Sequence, residues 1–243
     1  MQSTSPPLRT PAPSAITMPQ DFQTYVFLDL EATGLSLDHP RITEICLIAV
    51  HLYSLQNTET DETGALRLPR VLDKICLCVD PGKPLTPTAA EITGLSNENL
   101  SGNQKQGFCQ DLVTLLRGFL ERQVQPVCLV AHNGFFYDFP LLKTELQRVQ
   151  GDLGGSYACL DSCQALRGMD EAQGFIFKKK GYYTLPEVYK RFFSKEPQQS
   201  HYAEGDVLTL LLIFLHRAPD FLRWSSDNSR CWEEIQPMYI TQI

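Results

Sequence analysis

The chain has 243 residues, 43% of them hydrophobic, which is ample for a real core and excludes disorder as its dominant state. Twenty-one basic residues against 28 acidic ones leave a net charge of −7, so a nucleic-acid partner would have to be held by local basic patches and metal ions, not by overall attraction. No apolar run approaches the ~20 residues that a membrane-spanning helix needs, and prolines at 6, 7, 11, 13 and 19 interrupt any signal peptide. Eight cysteines without a CxxC pair read as reduced thiols, which points to a soluble protein of the nucleus or cytosol.

Residues 1–22 are rich in Pro, Ser and Thr without a periodic apolar pattern and are expected to form a disordered tail. A single domain is expected over 23–236, followed by a C-terminal tail over 237–243. The domain opens with three β-branched or aromatic runs, at 25–30, 42–53 and 71–79, which predict an antiparallel meander. The polar, acidic segment 54–69 between the second and third has no helical period and is expected to be a surface loop. Thr88 with Glu91 fits a capping box for a short helix stopped at Gly94. Leu112, Leu115, Leu116, Phe119 and Leu120 then recur at helical spacing and form one apolar stripe. Residues 127–131 read as a buried strand, 140–149 as a helix with proline in its first turn, and 159–161 as a short strand. Helices are predicted to open at Thr184 and to run over 202–216, ending before Pro219. Three antiparallel strands followed by alternating helix and strand give the expected class: α/β, with a mixed five-stranded sheet flanked by helices.

Three places carry candidate chemistry. Asp29 and Glu31 stand two apart at the end of an apolar strand, so both carboxylates leave the same face about 7 Å apart while Leu30 points the other way. Asp138 lies in the segment His132-Asn133-Gly134-Phe135-Phe136-Tyr137-Asp138, directly after a buried strand, where open α/β sheets bind ligands. Asp138 could equally cap the next helix, and His132 could hold the loop or touch a substrate. Asp206 lies among apolar helical neighbours, where an unpartnered carboxylate is expensive, and His201 near that helix start could take a proton from water. Tyr202 stands four residues before Asp206, but a phenol with a pKa near 10 is the poorer base at neutral pH. Carboxylates within ~5 Å of one another repel by roughly 3 kcal/mol per pair at an effective dielectric near 20, so the four acids would gather only around divalent cations. Two Mg²⁺, or Mn²⁺, about 3.5 to 4 Å apart would make the cluster fit for in-line phosphoryl displacement.

The phrases FLDLEATGL at 27–35, EITGLS at 91–96, LVAHNG and YDFPLL across 129–142, and HYAEGDVLTLL at 201–211 resemble the DEDDh 3′→5′ exonucleases, and among them the three-prime repair exonuclease subgroup. The likeness runs from about Tyr25 to about His216. It implies an RNase H-like fold, with Asp29, Glu31, Asp138 and Asp206 as ligands of two Mg²⁺ and His201 as general base. It further implies that nucleoside 5′-monophosphates are released from DNA 3′ ends, single-stranded or mismatched ones preferred. Gly34, Leu35, Ser36 and Ile92 match positions that grip the terminal nucleotides, and Tyr137 one that packs beside the metal aspartate. Lys178, Lys179 and Lys180 form a basic run in a Gly-flanked segment, either simply solvated or feeding DNA phosphates to the site. The strand at 71–79 reads as a sheet edge by its alternating Ile75, Leu77 and Val79, and the resemblance implies a two-fold homodimer joined there. The chain resembles the short branch without a membrane anchor. An exoribonuclease of the same superfamily, or a non-catalytic nucleic-acid-binding module, are the rival readings.

Overall fold

The computed structural model describes residues 21–240. The sheet is laid down by β1 (Thr24–Ala32), β2 (Ile42–His51) and β3 (Asp73–Cys78), then β4 (Val127–Ala131), β5 (Ala158–Asp161) and the two-residue β6 (Arg230–Cys231). Their spatial order is β3-β2-β1-β4-β5-β6, with β1/β2 and β2/β3 antiparallel, β1/β4 and β4/β5 parallel, and β5/β6 antiparallel. The five expected strands are all present, and β6 adds a sixth too short to carry a periodic signal.

Alternation along β1 sends successive residues to opposite faces of the sheet. Tyr25 and Phe27 pack with α8 (Ala203–His216), α6 (Ser162–Ala172), α7 (Leu185–Phe193) and α9 (Ala218–Asn228), through residues such as Val207, Leu210 and Phe214. Val26, Leu28 and Leu30 pack with α4 (Gln110–Glu121) and α5 (Asp138–Arg148) on the other side. The sheet is thus buried on both faces, which is why β1 and β4 read as nearly unbroken apolar runs. Asp29 is the least buried residue of β1, and the β1/β2 register slips just after Glu31.

Several elements differ from expectation in detail. His51 caps the short α1 (Leu52–Gln56), its ring Nδ1 accepting from the Tyr53 amide, so β2 stops two residues early and the segment after it begins helical. The cap of α2 (Pro87–Thr93) is Thr86, not Thr88: its hydroxyl accepts from Ala89, and Pro87 takes the first turn, where a missing N–H is harmless. Gly94 ends that helix in the left-handed region. A short α3 (Asn97–Gly102), α6 and α9 were not expected at all. Pro219, read as a stop, sits in the first turn of α9. Leu115 of the predicted stripe on α4 is exposed, and Val113 is buried in its place.

The tail expected over 1–22 lies outside the described residues except for Asp21 and Phe22, and Phe22 packs edge-on against Tyr25 in the core. Of the tail expected over 237–243, Met238 donates its amide to Pro140 O and Thr144 Oγ1, and the Tyr239 hydroxyl donates to Pro40 O. No helix among the described residues is long and apolar enough to cross a membrane.

Candidate active site

The four acids reach one place by three routes. Asp29 and Glu31 project from the end of β1 toward the α8 side, sharing the face of Phe27. Asp138 opens α5 and is buried there. Asp206 lies in the first turn of α8, and its Oδ2 accepts from the His201 amide at 3.0 Å. Gly205 is required beside it: a Cβ there would lie 2.1 Å from Gln199 O, so the turn over 199–202 folds flat against the helix. His201 adopts a left-handed backbone, φ 65°, and is exposed. Donor atoms of Glu31, His201 and Asp206 all lie within 4.8 Å of one another.

Charge repulsion in this cluster shows in its proton affinities. Burial, reinforced by Asp138, Asp206, Glu31 and Glu44, lifts Asp29 well above the usual carboxylate range. Burial, then Asp206, Glu44 and Asp138, pushes Glu31 up to about 8. Asp138 is likewise pushed up to about 8, chiefly by burial, with the nearby backbone of Asp138 itself and of Leu30 opposing this. Asp206 is raised by burial against the opposing His201 amide bond and the His201 side chain. A set of oxygen donors with one imidazole and no thiolate fits a hard divalent cation, whose charge would cancel this repulsion.

Beside the acids runs a groove of about 360 Å³, lined by Glu31, Gly34, Leu35, Ile92 and Tyr137 among others. Leu35 is 70% and Ile92 48% exposed, an unusual outlay of aliphatic surface next to a charged cluster. Ser36 starts a short 3-10 turn, closed by Asp38 Oδ2 accepting from the Leu35 amide. The Tyr137 hydroxyl donates to Gly34 O at 2.6 Å and ties this turn to the start of α5. A larger recess of about 620 Å³ near His51, Tyr53, Arg67 and Arg70 contains none of the four acids.

His132 is engaged within the chain at both ring nitrogens: Nε2 donates to Tyr183 O at 2.7 Å, which leaves Nδ1 to accept from the Ser162 hydroxyl at 2.9 Å. Burial first, and Arg167 after it, depresses its pKa to about 4 against the opposing bond to Tyr183, so the ring is neutral. Lys178, Lys179 and Lys180 lie exposed on the loop between α6 and α7 and make no ion pair among the described residues. That loop is stiffened by Phe177 stacked on Tyr182 at 4.2 Å, with Arg191 over the Tyr182 ring.

Two acids escaped the sequence reading. Asp161 ends β5 and caps α6, and it also accepts the amides of Asn133 and Phe135, so it shapes the loop that leads to Asp138. Glu44 on β2 lies directly opposite Glu31 and adds its charge to the cluster. Both had a legible signal: a lone carboxylate inside or at the end of an apolar strand, the same feature that marked Asp29.

The family model described as Exonuclease matches residues 26–214. The chain is 54% identical over 224 residues to three prime repair exonuclease 2 of Mus musculus, covering 91% of this chain and 95% of that protein. It is 44% identical to three-prime repair exonuclease 1 of Homo sapiens, over 91% of this chain and 72% of that one. Among solved structures, E. coli Exonuclease I in complex with a dT13 oligonucleotide superposes with a TM-score of 0.58 at 15% identity, over 83% of this chain and 43% of that one. That likeness carries the RNase H-like fold alone.

Proposed function

This chain belongs to the exonuclease family and is a 3′→5′ exonuclease; from there we propose that it removes nucleoside 5′-monophosphates from DNA 3′ ends, using two Mg²⁺ or Mn²⁺ held among Asp29, Glu31, Asp138 and Asp206. The observation that carries this reading is the convergence of Glu31, His201 and Asp206, with Glu31 also lining the groove of Leu35 and Ile92.

When bound, the cations supply positive charge for the phosphoryl oxygens and lower the pKa of water. Exposed on its turn, His201 can take a proton from the attacking water at a ring nitrogen and release it to solvent. Leu35 and Ile92 offer aliphatic faces on which a terminal base stacks with little sequence preference. Such stacking needs an unpaired base, which favours single-stranded or mismatched ends. Gly34 and Ser36 shape the turn that presents Leu35, and Tyr137 braces it. His132 serves by holding the 131–137 loop onto α6 and Tyr183. Lys178 to Lys180 would contact phosphates beyond the last nucleotides.

β3 is one of the two edge strands of the sheet, and we propose that two copies pair along it. Sedimentation at micromolar concentration is expected to give a dimer; a monomer would refute the pairing. The free thiols of Cys46, Cys76, Cys78, Cys109, Cys128, Cys159 and Cys163 suit a reducing compartment such as the nucleus or cytosol.

The decisive assay is a time course on matched DNA and RNA oligonucleotides labelled at the 5′ end, with and without chelator. A DNA ladder that shortens one nucleotide at a time only with metal is expected. Equal or faster loss of RNA would make the enzyme an exoribonuclease, and no cleavage at all would leave a binding module.

A further inference from the structure

The start of α8 lacks a cap of its own. Tyr202, in the capping position, makes no side-chain hydrogen bond to the helix. The first-turn amides of a helix have no partner inside it, and here the Ala203 amide finds one 159 residues away, donating to Glu44 Oε2 on β2 at 2.9 Å. The other carboxylate oxygen, Oε1, accepts from Cys78 Sγ at 3.9 Å. Glu44 thus stands between its two strand neighbours, Glu31 on β1 and Cys78 on β3, and reaches over to the helix that carries Asp206. One residue further on, Glu204 accepts from Lys74 Nζ of β3 at 2.6 Å, a second and more exposed tie to the same edge of the sheet.

What these ties hold is a strained turn. Gln199 and His201 both lie in the left-handed region, at φ 52° and 65°, which non-glycine residues adopt only when their surroundings impose it. Ala203 is two residues from His201, so the Glu44 bond fixes the height at which the turn leaves the helix. The internal bond from the His201 amide to Asp206 fixes its rotation. Together they keep the imidazole within reach of Glu31 and Asp206.

We propose that Glu44 is a positioning residue that acts as a remote cap of α8 and, through that helix start, sets His201 against the metal-binding acids. The inference rests on the proposed role of His201. Its requirement is an acceptor oxygen at the end of a three-carbon reach, not a negative charge.

Two conservative variants separate those properties. Glu44→Gln keeps the length and the carbonyl acceptor; Glu44→Asp keeps the charge and is one methylene too short to meet the Ala203 amide. A misplacement of about 1 Å at a reacting group can cost roughly a hundredfold, so at saturating Mg²⁺, where the charge Glu44 lends the cluster no longer limits metal binding, E44D should lose at least about tenfold in kcat and E44Q no more than about threefold. KM should stay within about twofold in both, because the groove of Leu35 and Ile92 does not touch Glu44. Amide hydrogen exchange over residues 201–206 should quicken in E44D and not in E44Q. In a His201→Ala background E44D should add little further loss, since the group it positions is gone. Loss of turnover in E44Q, normal turnover in E44D, or fully additive losses with His201→Ala would each overturn the proposal. His201→Ala with undiminished turnover would instead remove the general-base reading, and this inference with it.

Discussion

At the residue scale the site depends on groups with opposite requirements. Glu31 and Asp138 hold protons up to about pH 8 because burial and neighbouring carboxylates disfavour their charged forms. His201 is exposed and stands within reach of Glu31 and Asp206, so a proton taken from water there has an open path to solvent. Positioned proton transfer contributes about 10² to 10⁴-fold, and His201→Ala should therefore lose at least about a hundredfold in kcat. Tyr202→Phe should lose less than about threefold, because the Tyr202 ring makes no capping bond and stands 54% exposed. Single-turnover rates check the pair, and the reverse ranking would transfer the role to the phenol. Asp29, Glu31 and Asp206 were legible as odd carboxylates in apolar surroundings. Whether His132 was structural was not, because its two partners, Ser162 and Tyr183, lie 30 and 51 residues away and only the fold brings them to the ring.

At the scale of elements, legibility followed how much apolar surface an element buries. β4 was read to the residue, since all five of its positions are buried and apolar. α8 was read to within a residue of its start, its end marked by His216 and the following Pro219. α6 escaped because its buried side is built from small residues, Ser162, Cys163 and Ala165, with only Leu166 and Met169 to mark a period. Its Gly168 lies so close to the Trp224 ring that a Cβ would come within 1.9 Å of it, a reason for smallness that sequence alone does not display. The loop after α6 carries Lys178, Lys179 and Lys180 on an aromatic base of Phe177 and Tyr182. Each phosphate contact on a single strand contributes about 0.7 to the slope of log K against log salt, so triple alanine substitution should weaken DNA binding and flatten that slope by up to about 2. Binding titrations at several salt concentrations check this; an unchanged slope would leave the run merely solvated.

At the scale of the whole molecule, the fold brings strand β1 and helices α5 and α8 together at one end of a sheet covered on both faces, and so gathers acids separated by more than 170 residues of chain. That gathering is destabilising once the acids ionise. In the unfolded chain they are charged from about pH 5 upward, whereas folded Glu31 and Asp138 keep their protons to about 8. The folded state therefore binds more protons over that interval, and stability without metal must fall as pH rises through it. His132, its folded pKa depressed to about 4, works the other way below about pH 7, where the unfolded ring still binds protons, and adds almost no slope above about pH 7.5. The measurement that tests the shared acid cluster most directly is the thermal unfolding of the metal-free protein between pH 7 and 9, with and without Mn²⁺, beside Glu31→Gln. Tm should fall with pH in the metal-free wild type, recover on adding Mn²⁺ most strongly at the high-pH end, and both effects should shrink in E31Q. A wild-type Tm that is level across that range and indifferent to Mn²⁺ would contradict the account.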